Sequence, residues 1–155
     1  MRGPLRSLVL VCSLIVAALA LFACANDTAP PLIQVTDFTP REAEVGDRLE
    51  ISGVGFPQGR SARVSLRGVL HRPGASRAPR AEIIATGVVT SSRQIEVAYD
   101  EALEAELCTS GGKRLHTTFE GDVEVSFPAV VPGAPPVAAT LRGVALDLRP
   151  PVSPA

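Results

Sequence analysis

The sequence predicts an all-β chain, a single sandwich of short strands with one short helical insertion, placed after a cleavable N-terminal signal. Three observations predict it. Apolar and polar residues alternate with a period of two in run after run, which turns one face of each strand to a core and the other to water. Clusters of Gly and Pro separate these runs at the spacing of turns. Before all of them, an apolar stretch beginning near Leu8 follows Arg2 and Arg6, and no acidic residue occurs until Asp27.

The apolar stretch from Leu8 to Ala23 has 16 residues, about 24 Å if helical. A hydrocarbon core of ~30 Å takes about 20 apolar residues. The stretch is therefore short for a retained transmembrane span and suits the core of a signal. The run Leu21-Phe22-Ala23-Cys24 that closes it resembles the lipobox of bacterial lipoproteins. In that family the signal is removed before the cysteine, whose thiol is acylated (palmitate is the expected class of lipid) and which becomes the mature first residue. The resemblance implies a signal over residues 1–23 and lipid attachment at Cys24. It also implies a place in the cell envelope, on the extracytoplasmic side of a membrane. The outer membrane is favoured, because Ala25 follows Cys24 where many lipoproteins retained at the inner membrane carry Asp. An ordinary secretory cut after Phe22-Ala23 and an uncleaved anchor are the competing readings.

Residues 24–31, Cys24 followed by small, polar and finally proline residues, read as a tether. From Cys24 to Leu32 the chain reaches at most ~28 Å. Removal of residues 1–23 takes two arginines and no acid from a chain with 15 basic and 16 acidic side chains, leaving a net charge of -3. That balance gives no reason to expect nucleic acid as a partner. Of the three cysteines, Cys12 leaves with the signal and Cys24 takes the lipid, so Cys108 stands alone. Residues 32–149 then form one domain that holds together by its apolar core and not by a disulfide.

Within that domain Leu49 and Ile51 alternate with Arg48, Glu50 and Ser52, and Val64 and Leu66 with Arg63, Ser65 and Arg67. Ile83 to Val89 is apolar on both parities, which predicts a more central strand. Ile95, Val97 and Tyr99 share one parity. So do Phe119, Gly121, Val123, Val125 and Phe127, opposite Glu120, Asp122, Glu124 and Ser126. From Leu141 to Leu148 the apolar phase slips at Arg142-Gly143, and a bulge at Gly143 absorbs such a slip. Thr39-Pro40, Val45-Gly46-Asp47, Gly53-Val54-Gly55, Pro73-Gly74 and Val131-Pro132-Gly133 supply the turns. One or two helical turns are predicted over Asp100–Leu107, capped by Asp100, with Gly111-Gly112 beyond their end. Residues 150–155 are a Pro-rich tail.

Three segments resemble the IPT/TIG domain, an immunoglobulin-like module of the E-set type. They are Val35 to Pro40, then Gly46 to Phe56 with its Gly53-Val54-Gly55-Phe56 corner, then Ala62 to Gly68. The resemblance implies an Ig-like β-sandwich over residues 32–149, in which Gly53 and Gly55 take positive φ and Phe56 drops into the core. It covers about the first third of the domain. Beyond it the agreement is one of pattern, a hairpin from Phe119 to Leu148, with insertions at His71–Arg80 and Asp100–Arg114. The family implies recognition or spacing and brings no catalytic residues, and a fold does not by itself assign a function.

The residues that could carry chemistry are few. Cys108 and His116 are the one nucleophile-and-base pair, but Cys108 falls at the C-terminal end of the predicted helix, where the dipole disfavours a thiolate. Two histidines without a His-x-x-x-His or paired-Cys spacing do not make a metal site, and no cofactor is expected. The one non-random charge feature is basic. Arg60, Arg63, Arg67, Arg72, Arg77 and Arg80 occur with no Asp or Glu between Ile51 and Ala81. Arg63, Arg67, Arg72, Arg77 and Arg80 are the candidates for contact with an anionic surface, against a plain solvated loop balanced by acids on neighbouring strands.

The expected function is that of a non-catalytic, membrane-anchored module that binds an envelope protein, a glycan or an anionic surface. Two alternatives stand beside it. One is an accessory or truncated relative of a larger multidomain envelope protein, suggested by the linker-like end Arg149-Pro150-Pro151. The other is an enzyme using Cys108 and His116.

Overall fold

The structure, a computed structural model, describes residues 32–150. The signal, the tether with Cys24, and the tail beyond Pro150 lie outside the described residues. The strands are β1 (Gln34–Thr39), β2 (Glu42–Glu44), β3 (Arg48–Val54), β4 (Ser61–His71), β5 (Arg80–Ser91) and β6 (Gln94–Ala98). One helix, α1 (Glu101–Cys108), follows, then β7 (Thr109–Ser110), β8 (Lys113–Arg114), β9 (Thr117–Phe127) and β10 (Val137–Arg149). The fold is all-β apart from that helix.

Eight strands form one sheet in the order β1-β3-β6-β5-β4-β9-β10-β2, and β7 and β8 make a separate small hairpin. Two features bend the sheet almost into a barrel. The chain crosses at the cis peptide Thr39-Pro40, so that β1 pairs with β3 at one edge while β2 pairs in parallel with β10 at the other. β5 is shared: Arg80 to Val88 bond to β4, and Gly87 to Ser91 bond to β6. The two halves are therefore one continuous hydrogen-bonded surface, and β1 comes to lie beside β10.

The period-two runs form strands because alternation lets each strand bury one face while the ladder satisfies its backbone. Leu49, Ile51, Val64, Leu66, Ile95, Val97, Phe119, Val123, Val125 and Phe127 are all buried, as their parity predicts. β5 departs from expectation in one respect. It lies inside the sheet, yet only Ile83, Gly87 and Val89 are buried, while Ile84 and Val88 face solvent. Apolar residues on both parities report a strand with neighbours on both edges, and they do not require cover on both faces.

The phase slip in β10 is a bulge. Leu141 opposes Val123 and Val144 opposes Gly121, so Arg142 and Gly143 together face Asp122. Gly143 takes φ +69°, and its N–H donates to the Asp122 carboxylate at 3.2 Å. The Gly53 to Phe56 corner departs from expectation in its mechanism. Gly55 has φ +79° but Gly53 does not have positive φ. A Cβ on Gly53 would instead collide with the Gln34 carbonyl and the Phe56 ring. Space, not dihedral freedom, requires glycine there, and the ring so admitted is buried against Phe127, with centroids 6.4 Å apart.

The two ends of the sheet differ. Loops 55–60, 92–93 and 128–136 lie at the end where the chain enters at Leu32. The turn at 45–47, the loop 72–79, α1 and the β7-β8 hairpin lie at the opposite end, as the strand directions require. No helix among the described residues is long and apolar enough to cross a membrane.

Candidate binding surface and buried polar cluster

The arginine series divides into groups with different partners. Arg63 and Arg67 point outward from β4, as their parity requires. Arg67 is held from both sides, by Glu82 on β5 at 2.9 Å and by Glu124 on β9 at 3.3 Å. The hydrogen bond to Glu82, and then the Glu124 charge, raise its pKa above the ordinary guanidinium value. Its charge is balanced by neighbouring strands and is not free for a ligand. Arg72 donates to the carbonyls of Leu107 and Thr109 at 3.0 and 3.4 Å, tying the loop 72–79 to the C-terminal end of α1. That placement suits a cation, since the carbonyls there carry the negative end of the helix dipole. Arg63, Arg77 and Arg80 have no ion-pair partner among the described residues.

Two shallow depressions adjoin these residues. One, of about 500 Å³, lies over Arg67, Val69, Arg80 and Glu82. The other, of about 430 Å³, is bounded by the loop from Arg72 to Pro79 together with Ser110 and Leu115. Neither brings all five candidate arginines together. Arg72, Arg77 and Arg80 lie at the end of the sheet away from Leu32, and Arg63 lies near the Leu32 end.

The structure also keeps Cys108 and His116 apart chemically. The His116 imidazole Nε2 sits 2.7 Å from the Asp147 carboxylate on the solvent side. Cys108 Sγ is fully buried and lies 3.4 Å from the Tyr99 hydroxyl. Only the backbone joins this region, with the Leu115 N–H donating to the Cys108 carbonyl. The imidazole is thus engaged with Asp147 while the thiol is enclosed in the core.

What surrounds Cys108 is a buried polar cluster that the sequence did not reveal. α1 starts because Asp100 accepts from the Leu103 N–H at 2.9 Å. Its inner face presents Leu103, Glu104, Leu107 and Cys108 to the end of the barrel. Glu104 is fully buried, neither of its carboxylate oxygens has a hydrogen-bond partner, and its ionic neighbour is Arg114 of β8 at 3.5 Å. Thr117 is also buried, its hydroxyl donating to the Leu115 carbonyl. Helical spacing puts Glu104 and Cys108 on one face, but which face packs inward is set by the docking of the helix on the sheet.

Burial sets the chemistry of this cluster. It raises the Cys108 pKa, outweighing the hydrogen bonds from Tyr99 and Thr117 that lower it. It raises the Tyr99 pKa as well, reinforced by the contact with Cys108. Both groups stay protonated in the folded state to a higher pH than in the unfolded chain. Their contribution to stability is thus complete below the ordinary values of 9.0 and 10.0 and is lost as pH rises beyond them. The melting temperature is expected to hold level from about pH 6 to 8 and to fall above about pH 9, by up to ~1.4 kcal/mol of stability per pH unit for each group. Cys108→Ala should delay the onset to the range where tyrosine titrates. An unchanged alkaline profile in that variant, or rapid alkylation of the native thiol at neutral pH, would contradict this assignment.

No family model, no curated protein and no solved structure matches the chain.

Proposed function

We propose that the protein is a lipid-anchored envelope protein that holds one non-catalytic Ig-like module at a membrane surface. The observation that carries this reading is the run Leu21-Phe22-Ala23-Cys24 at the end of an apolar stretch of signal length. Residues 1–23 are then a removed signal, Cys24 the acylated first residue, and residues 25–31 a short tether. Three pairings favour the Ig-like version of the fold. β1 and β2 are one chain segment that serves both edges, β5 moves from one half to the other, and β9 and β10 form the closing hairpin. The module acts by presenting a surface, either to another envelope protein or to a glycan. Its outward arginines without an ion-pair partner among the described residues fall at its two ends, Arg63 near Leu32 and Arg77 and Arg80 at the other.

Intact-mass measurement on the membrane fraction tests the anchor. The expected species is residues 24–155 carrying acyl chains, and Cys24→Ala should accumulate uncut and unacylated. A wild-type chain that keeps its first residue, or acylation that persists in Cys24→Ala, would overturn the reading.

The competing enzyme reading gains nothing from the position of His116, whose imidazole is engaged with Asp147 while Cys108 is buried beside Tyr99.

A further inference from the structure

The strand directions gather one kind of residue at the end of the sheet where the chain arrives at Leu32. Segments 32–36, 51–63, 86–95 and 125–140, which build that end, contain no Asp or Glu. The first carboxylates along the strands include Glu50 and Glu96, which pair with each other and the latter also with Val88, and Glu124 opposite Thr140. The four segments do contain Arg60, Arg63 and Arg93. Arg60 donates to the Pro128 carbonyl at 2.7 Å and ties two of the end loops together, while Arg63 and Arg93 are exposed. The opposite end carries both signs, Glu42, Glu44, Asp47, Asp100, Glu101 and Glu106 among Arg41, Arg48, Arg72, Arg77, Arg80 and Lys113. The end at Leu32 thus differs in having arginines and no carboxylate in its loops.

The same acid-free end exposes large apolar side chains. Leu32 is 90% exposed, Val130 84%, Val131 64% and Val54 43%. Val130 and Val131 project on the loop between β9 and β10, and Leu32 lies against Gly55 beside Val54. Apolar tips ringed by arginine and free of carboxylates are the composition of a surface that sits at the boundary of an anionic bilayer. Elsewhere on a water-soluble domain such residues are scattered singly.

We infer that this end of the domain docks flat on an anionic lipid bilayer, with Val130 and Val131 in the headgroup layer and Arg63 and Arg93 against lipid phosphates. The inference rests on the lipid-anchored reading above, which sets the geometry. Seven residues separate Cys24 from Leu32, a reach of at most ~28 Å. Strands of up to 13 residues make the domain roughly 40 Å tall, so a short tether keeps the Leu32 end at the membrane. The loop 72–79 and α1 are then held away from the bilayer, where Arg77 and Arg80 meet other partners.

The chain has no tryptophan, so a single introduced one reports its own surroundings. The test uses the mature acylated protein in vesicles containing phosphatidylglycerol, as the variants Val131→Trp and Ala75→Trp. Vesicles with brominated acyl chains should quench the tryptophan at 131 about twofold, because docked side chains reach ~5–10 Å into the boundary. The tryptophan at 75, on the far loop, should remain unquenched. Adding Arg63→Ser and Arg93→Ser to Val131→Trp should weaken docking roughly thirtyfold on anionic vesicles and leave it unaltered on phosphatidylcholine alone. Equal quenching at both positions, or quenching at 75 only, overturns the inference while leaving the anchor intact. Loss of acylation in the mass measurement overturns the anchor instead, so the two failures are distinct.

Discussion

Replacing Phe56 by alanine is expected to remove about 3–5 kcal/mol of stability. Phe56 belongs to no strand. It follows the corner that ends β3, and its ring turns back to fill the Leu32 end of the core against Phe127. No neighbour can close over the gap easily, because the backbone around it is held to the turn between β5 and β6: the Phe56 N–H donates to the Ser92 carbonyl and the Gly53 N–H to the Arg93 carbonyl. A single domain of this size has a total stability of about 5–15 kcal/mol, so the loss amounts to a large share of it. The melting temperature should fall by roughly 10–20 °C, with one transition retained and no effect of reductant, since the only described cysteine is free and buried. A drop of less than about 1 kcal/mol by denaturant titration would mean that the ring is not in the core.

Gly121→Ala should be of similar severity, although the exchange at an open strand site is ordinarily neutral or stabilising by up to ~1 kcal/mol. Gly121 on β9 faces Gly68 on β4, on the inward parity. A methyl group at Gly121 would strike the Arg67 carbonyl and the Gly68 Cα, and one at Gly68 would strike the Glu120 carbonyl. These are backbone atoms and have no rotamer by which to yield, so β4 and β9 must separate. Overpacking costs about 1–3 kcal/mol, and each ladder hydrogen bond lost adds ~1 kcal/mol. The pair lies beside the Gly143 bulge, where the register of β10 against β9 shifts. A Gly121→Ala protein as stable as wild type would show that the strands do not approach so closely there.

Much of the β architecture is legible in the residues because a period of two has only one structural use. Leu49, Ile51, Val123, Val125 and Phe127 could be assigned to the core with no knowledge of their partners. The bulge at Gly143 was legible for the same reason, since an apolar phase that slips by one residue needs one extra residue on that strand. Asp100 could be read as a cap because a helix start leaves N–H groups that a side-chain oxygen must satisfy. The residues around Cys108 were not legible. Tyr99, Glu104 and Thr117 carry no motif, and they meet only because α1 folds over the end of the barrel. The balance of Arg67 was anticipated only in kind. That Glu82 and Glu124 supply it depends on the register of β4 against β5 and β9, which no local pattern encodes.

The sequence by itself determined where the main alternating strands lie (β2, β7, β8 and the first residues of β10 carried no such pattern), which face of them is buried, where the short helix starts, and that one apolar core must suffice. These are local properties, set by hydrophobic periodicity and by the conformational limits of Gly, Pro and Asp over a few residues. The tertiary structure decided how the halves join. β5 serves both, and β1 and β2 take opposite edges, because closure of the sheet depends on pairings between residues far apart in the chain. It also decided the polarity of the domain. Arginines that are contiguous in sequence, from Arg60 to Arg80, are carried to both ends by the up-and-down course of β4, β5 and their loops. Acid-free segments from four distant parts of the chain are brought together at one end. Charge along a chain is a one-dimensional quantity, and only the direction of each strand turns it into a surface.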